Sequence, residues 1–188
     1  MLINEIIHKY RFSKNADRIG PDILFSHWKL HFNSLILKLC KKKFKFFSDN
    51  AQFRPEAYAA GCSKIYIGNR VVIRPQVMLF GETLVDMEYS ICIEDDVLMG
   101  SGVHIYVNDH KFSNPNILII DQGYYPGKPV ILKKGCWIGA NVMILPGVII
   151  GENSVVGAGS IVLRSIPAGV VAVGNPCIVI KRVDENEI

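Results

Sequence analysis

The sequence predicts a parallel β-helix, a column of short strands wound around a single core, and three observations carry that prediction. Aliphatic residues recur at every sixth position through Leu132, Ile138, Ile144, Ile150, Val156 and Val162. A small or β-branched residue stands two places before most of them, at Cys136, Val142, Val148, Ser154 and Ser160. Glycine directly follows three of them, at Gly139, Gly151 and Gly157. A period of six fits neither an amphipathic helix (3.6) nor a half-buried strand (2). It fits three short strands per coil, joined at corners by small residues. Coils stacked at the ordinary inter-strand spacing of about 4.8 Å would align their large side chains into one continuous core.

Taken in order, residues 1–50 show no six-fold pattern and read as an N-terminal, partly helical cap. Pro21-Asp22 reads as a helix start with Asp22 as N-cap, and Leu24, Trp28, Leu35 and Leu39 recur at helical intervals. The cap ends in LCKKKFKFF, where Lys41, Lys42, Lys43 and Lys45 stand among apolar residues. Such a stretch suits a weak contact with a membrane surface. It also suits a helix that closes the open end of the column with its lysines in water. The second reading is preferred, because a bare first coil would expose unpaired strand edges.

The column itself is assigned to residues 51–182. Its pattern starts loosely at Phe53 and Ala59 and tightens through Ile67, Ile73 and Leu79, with Val71 and Val77 at the small inward positions. It slips by two residues around Gly81 to Ser90. It resumes at Ile93, Met99 and Ile105, with Val97 and Val103 as partners. The next site is due at position 111, yet the pattern returns only at Leu132. An excursion loop is therefore expected over 107–130. Long loops inside compact repeats are uncommon and usually functional. Gly174-Asn175-Pro176 marks a turn, Val179 to Arg182 read as a final strand, and residues 183–188 form an acidic tail.

Composition narrows the classes. A chain of 188 residues with 49% hydrophobic content suits one domain with an appendage. No apolar run approaches the roughly 20 residues that a bilayer span needs. The first residues lack the uninterrupted apolar segment of a secretion signal, so a cytoplasmic protein is expected. Five scattered cysteines, odd in number and without a CxxC pair, argue against a disulfide framework or a zinc site, and no metal is expected. Within the repeats Cys acts as a small hydrophobe, with a catalytic thiol as the alternative. The net charge of +4 suits anionic ligands without indicating nucleic acid.

The repeats, a corner loop carrying a His, and the run WIGANV…GVIIG…VVGAGSIV…IPAGVVAVGNPC resemble the hexapeptide-repeat acyltransferases, over about residues 51–182. The resemblance is nearest to the galactoside and maltose O-acetyltransferase branch and to sugar acetyltransferases of polysaccharide assembly. It implies a left-handed coil, a homotrimer, and acyl transfer from acetyl-CoA. His110, in YVNDHKF at the start of the loop, then falls where such enzymes carry their catalytic His. The chemistry suits that residue type: a sugar hydroxyl attacks a thioester poorly, and an imidazole with a pKa near ~6.5 can take its proton in the transition state. His104, six residues earlier, is the lesser candidate.

By the same resemblance the Ala140 N–H is the oxyanion donor, and Trp137 lines the cleft and meets both acceptor and cofactor. Ala158 and Gly159 let the pantetheine arm approach, and Arg164 and Lys181 meet the CoA phosphates. Ile178 departs from the pattern, since the galactoside enzymes carry a basic residue there. Asn108, Arg74 and Glu82 are the acceptor-side candidates. Arg74 stands where that branch has Asn, and either faces a charged acceptor or pairs with Glu82 or Asp86. The expected activity is O-acetylation of a sugar or sugar-nucleotide hydroxyl in cell-surface polysaccharide synthesis. The alternatives are N-acetylation of an amino sugar nucleotide or an antibiotic-like amine, and an inactive scaffold.

Overall fold

The six-residue spacing becomes a three-sided, left-handed parallel β-helix. The computed structural model describes residues 2–83 and 88–184, with the side chains of Leu24 and Asn33 excepted. On the first side lie β1 (Arg18–Ile19), β4 (Tyr58–Ala60), β7 (Met78–Phe80), β10 (His104–Tyr106), β13 (Met143–Ile144) and β16 (Ile161–Val162). All are parallel except β1, which runs antiparallel to β4. The second side stacks β2 (Phe46–Phe47), β5 (Ile65–Ile67), β8 (Ile91–Ile93), β11 (Val130–Leu132) and β14 (Ile149–Ile150), all parallel. The third opens with the pair β3 (Gln52–Phe53) and β6 (Val72–Ile73). It continues through β9 (Leu98–Met99), β12 (Trp137–Ile138), β15 (Val155–Val156) and β17 (Val170–Val173). There β18 (Ile178–Arg182) turns back antiparallel on β17 and ends the stack.

Parallel register is what converts the repeat into a core. Leu79, Ile105, Ile144 and Val162 are partners up the first side, and Ile67, Ile93, Leu132 and Ile150 up the second. All are fully buried. Each such side chain contributes about 1.5–3 kcal/mol relative to exposure. The corners repeat as well. Asn141 (φ 57°) and Asn153 (φ 52°) alternate with Gly135, Gly147 and Gly159 in the left-handed region, a second six-fold series fixed by turn chemistry. Two of the glycines that follow the aliphatics, Gly139 and Gly151, do something else. A Cβ on Gly139 would lie 2.5 Å from the Ala158 nitrogen, and one on Gly151 would lie 2.3 Å from that of Ala168. Successive coils touch backbone to backbone there, so no side chain fits.

The N-terminal segment differs from expectation. A helix α1 (Leu2–Asn15) precedes everything the sequence signalled. Its apolar residues recur at helical spacing, but they face outward instead of packing on the core. The helix expected from Asp22 is broken into α2 (Leu24–His27), a 3-10 turn (Trp28–His31) and α3 (Asn33–Lys43). Ile23, not Asp22, sits at the start of α2, because the Asp22 carboxylate pairs with Arg18 (3.0 Å). α3 closes the column: Leu39, Cys40 and Phe44 join the core, and the Phe44 ring lies 5.4 Å from Phe47 and 5.6 Å from Phe53. The lysines are not all solvated. Lys43 Nζ donates to the carbonyls of Lys14 (3.3 Å) and Ala16, capping the end of α1 where a cation is favoured.

Two extra residues before Ile67 form a 3-10 turn, Cys62–Lys64. Part of the second slip (84–87, including Asp86) and the acidic tail beyond Asp184 lie outside the described residues.

Candidate active site

The excursion after β10 is an ordered ribbon. Its limbs pair through Lys128 N to Val107 O (2.7 Å), Tyr125 N to Asp109 O (2.9 Å) and Lys111 N to Gly123 O (2.9 Å). At the tip, Gln122 Nε2 donates to the carbonyls of Asn114 (2.9 Å) and Ile117 (2.8 Å). This pairing sets His110 opposite Tyr124, with ring centroids 4.2 Å apart at 33°. The imidazole is therefore exposed yet held against an aromatic face. His104 is spoken for differently: it lies on the first side, with Nδ1 3.2 Å from the Tyr106 hydroxyl.

Tyr124 also lines a cleft of about 380 Å³ shared with Asn108, Glu82, Asp17, Arg18 and Phe12. Among the described residues, Glu82 Oε2 is buried there without a hydrogen-bond partner. A buried, unpaired carboxylate oxygen is costly and calls for a donor. The cleft's floor is the close approach of two corners: a Cβ on Gly61 (φ 66°) would lie 2.6 Å from the Gly81 carbonyl. Sequence reasoning missed Tyr124 and the N-terminal wall. Asp17 accepts from Ser63 N (2.8 Å) and Oγ (2.7 Å), which pins that wall to the corner. No spacing in the sequence signals a contact 46 residues apart.

The other candidates sit elsewhere on the column. Trp137, half exposed, stands in an outward row on the third side: Leu98, Trp137, Val155, Val171 and Lys181 are successive partners. Ala140, Ala158 and Gly159 are exposed at the corner between the third and first sides. Among the described residues the Ala140 N–H meets no acceptor, while its carbonyl receives Gly159 N (2.8 Å). Arg74 shares that corner two coils before Ala140, where its Nε donates to Met99 O of the intervening coil (2.9 Å). The expected Arg74–Glu82 pair is not formed, since the two residues lie at opposite ends of β7. Arg164 stands at the opposite corner, after β16, away from Ala158 and Lys181.

The structure thus groups His110 with Asn108 and Glu82, and Trp137 with Ala140 and Lys181. It does not bring the two groups together within one chain. From Ala140 to Leu145, which lies beside Asn108 and Asp109, the chain crosses the whole first side. Five residues at about 3.3 Å each span roughly 17 Å.

Burial disfavours four of the five thiols as nucleophiles. Burial pushes Cys40 and Cys136 up to about 12 and Cys92 to about 11, and it also raises Cys62. The thiolate is the reactive form. Among the described residues no helix is long and apolar enough to cross a membrane, and no group of His, Cys, Asp and Glu gathers as for a metal ion.

Residues 129–164 match the bacterial transferase hexapeptide family (six repeats). The chain is 36% identical over 149 residues to the galactoside O-acetyltransferase of Escherichia coli (strain K12), covering 79% of this chain and 69% of that protein. A galactoside acetyltransferase structure in complex with coenzyme A superposes with TM-score 0.72 at 32% identity, over 85% of this chain and 78% of that one. A maltose O-acetyltransferase from Clostridium difficile 630 gives 0.69 at 26% identity, over 98% and 89%. A mutant of AntD, an N-acyltransferase from Bacillus cereus, in complex with dTDP and coenzyme A, gives 0.61 at 28%, over 78% and 87%. The coiled repeat, its corner loop and these likenesses agree: the chain is an acyltransferase and belongs to the hexapeptide-repeat acetyltransferase family.

Proposed function

We propose that the protein transfers an acetyl group from acetyl-CoA to a hydroxyl of a sugar or sugar nucleotide in the cytoplasmic assembly of cell-surface polysaccharide. The observation that carries this is His110, fixed against Tyr124 at the edge of a cleft where Glu82 offers a carboxylate oxygen that no described residue pairs. In this reading a ring nitrogen of His110 takes the proton of the acceptor hydroxyl as its oxygen attacks the thioester carbon. The Ala140 N–H bonds the oxyanion that forms. Collapse breaks the carbon–sulfur bond, and the CoA thiolate receives the proton from the imidazolium. Trp137 forms the cleft wall, Ala158 and Gly159 admit the pantetheine arm, and Lys181 and Arg164 meet the phosphates. Glu82 and Asn108 hold the acceptor, and Arg74 stands at the far end of β7 toward its charged portion.

This chemistry needs the two groups of residues together, and within one chain they stand at opposite edges of the first side. A homotrimer supports it, because the His110 corner of one protomer can then face the Ala140 corner of the next. The AntD likeness favours a second reading in which an amine on a sugar nucleotide accepts the acetyl group.

The test is release of CoA from acetyl-CoA over a panel of free sugars, nucleotide-linked sugars and their amino counterparts. Wild type should turn over a hydroxyl acceptor, and His110→Ala should lower kcat by about 10²–10⁴ with its circular dichroism unchanged. An unaltered rate would remove His110 from the mechanism, and turnover of amines alone would replace O-transfer with N-transfer.

A further inference from the structure

From the cap rather than the cleft, we infer that the N-terminal segment is a docking surface for an anionic lipid bilayer. Residues 2–12 of α1 are all exposed, and Leu2, Ile3, Ile6, Ile7 and Tyr10 fall on one arc of about 140° at 100° per residue. Ile3 is 72% exposed and Leu2 68%. Lys9 and Arg11 flank the two edges of that arc, and Asn4 and His8 occupy the opposite face. A helix of this length is marginal alone in water, and here only its end is packed, through Tyr10 on Phe25 (5.7 Å) and the Lys43 cap. An apolar stripe edged by basic residues is the arrangement that lies in a membrane interface.

Charge chooses the occupant. Residues 1–50 hold ten Lys and Arg against four Asp and Glu, while the remaining residues hold eleven against thirteen. The chain's positive balance therefore resides wholly in the cap. Lys14, Lys29 and Lys42 surround a small cleft of about 170 Å³ where α1, α2 and α3 meet. Trp28 and Phe32 are half exposed beside it in sequence, residue types favoured at the headgroup level. A second cap meeting this one would set like charges face to face, which is unfavourable. Docking of α1 onto the acidic column of another copy would be a head-to-tail contact, and it would show in the melting temperature and light-scattering mass of an α1 variant.

The experiment is flotation of the full chain with vesicles of neutral phosphatidylcholine and with vesicles in which about a third of the lipid is phosphatidylglycerol. Binding to the anionic vesicles should exceed binding to neutral ones at least tenfold. It should collapse near 0.5 M salt, where the screening length falls to about 4 Å. Each basic side chain at the surface is worth roughly fivefold, so Lys9→Gln with Arg11→Gln should cost roughly 25-fold. Ile3→Asp with Ile6→Asp should abolish binding and leave the melting temperature unchanged, since both side chains are exposed. Equal binding to both vesicle types, or none, overturns the inference. So does a fall in melting temperature and in light-scattering mass in the Ile3→Asp/Ile6→Asp variant, the result if another protein copy covers α1.

Discussion

Gly139→Ala tests the corner that carries Ala140. The added methyl would lie 2.5 Å from Ala158 N, 2.8 Å from Ala158 Cα and 2.9 Å from the Gly157 carbonyl carbon. All three are backbone atoms, so no rotamer change relieves the clash, and the two coils must part by the better part of an ångström. The Gly139 N to Val156 O bond, 2.8 Å in the native chain, would then stretch beyond useful range. Losing it costs about 1 kcal/mol, and overpacking adds about 1–3 kcal/mol. At roughly 2–4 °C per kcal/mol for a chain of this size, a total near 3 kcal/mol lowers Tm by about 6–12 °C. Gly159→Ala is the control. Its φ of 71° is strained for alanine, yet nothing lies within 4 Å of the new methyl. It should therefore cost only about 1–2 kcal/mol. Paired thermal melts decide it. If Gly139→Ala melts within a degree of wild type, or above Gly159→Ala, the close-contact argument for the glycines of the repeat is wrong.

Two further outcomes follow from the site and the cap. Tyr124→Ala should lower kcat about tenfold, because the His110 ring loses the face that positions it, whereas Tyr124→Phe keeps the ring and should restore the rate; equal losses in both would assign Tyr124 a different role. His27 has its pKa lowered by burial first and by the neighbouring His31 second, and among the described residues its Nδ1 is buried without a hydrogen-bond partner. A lowered histidine pKa means that the unfolded chain binds more protons below about pH 6.5, so the associated stability is full above that pH and is lost as pH falls through it. Wild type should lose more Tm than His27→Gln between pH 7.5 and 5.5, and parallel losses would show that His27 does not contribute.

The column was legible because its signal is local and redundant. Leu132 to Val162 repeats one physical requirement at every strand, so a single misreading changes little, and Ile105 followed by silence until Leu132 betrays the excursion. The cap was less legible. Asp22 looked like an N-cap but serves Arg18, since a nearby guanidinium competes for the same carboxylate. α1 carries an apolar arc at helical spacing, yet nothing in its sequence tells that the arc points away from the core. Arg74 offered two partners in the sequence, and the Glu82 pairing is not made. It spans to the next coil and bonds Met99 O, a neighbour that exists only once the chain is wound.

By itself, then, the sequence determined the winding, the buried series and the corner that throws out His110, because each depends on residues within one or two turns of the coil. Tertiary structure alone decided that Tyr124 backs His110, that Glu82 Oε2 is buried with no partner among the described residues, and that Asp17 ties a distant segment into the cleft wall. It also decided that His110 and Ala140 occupy opposite edges of one side. These are distances between chain segments far apart in sequence, and a periodic pattern fixes direction and burial but not which far segment arrives at a given corner.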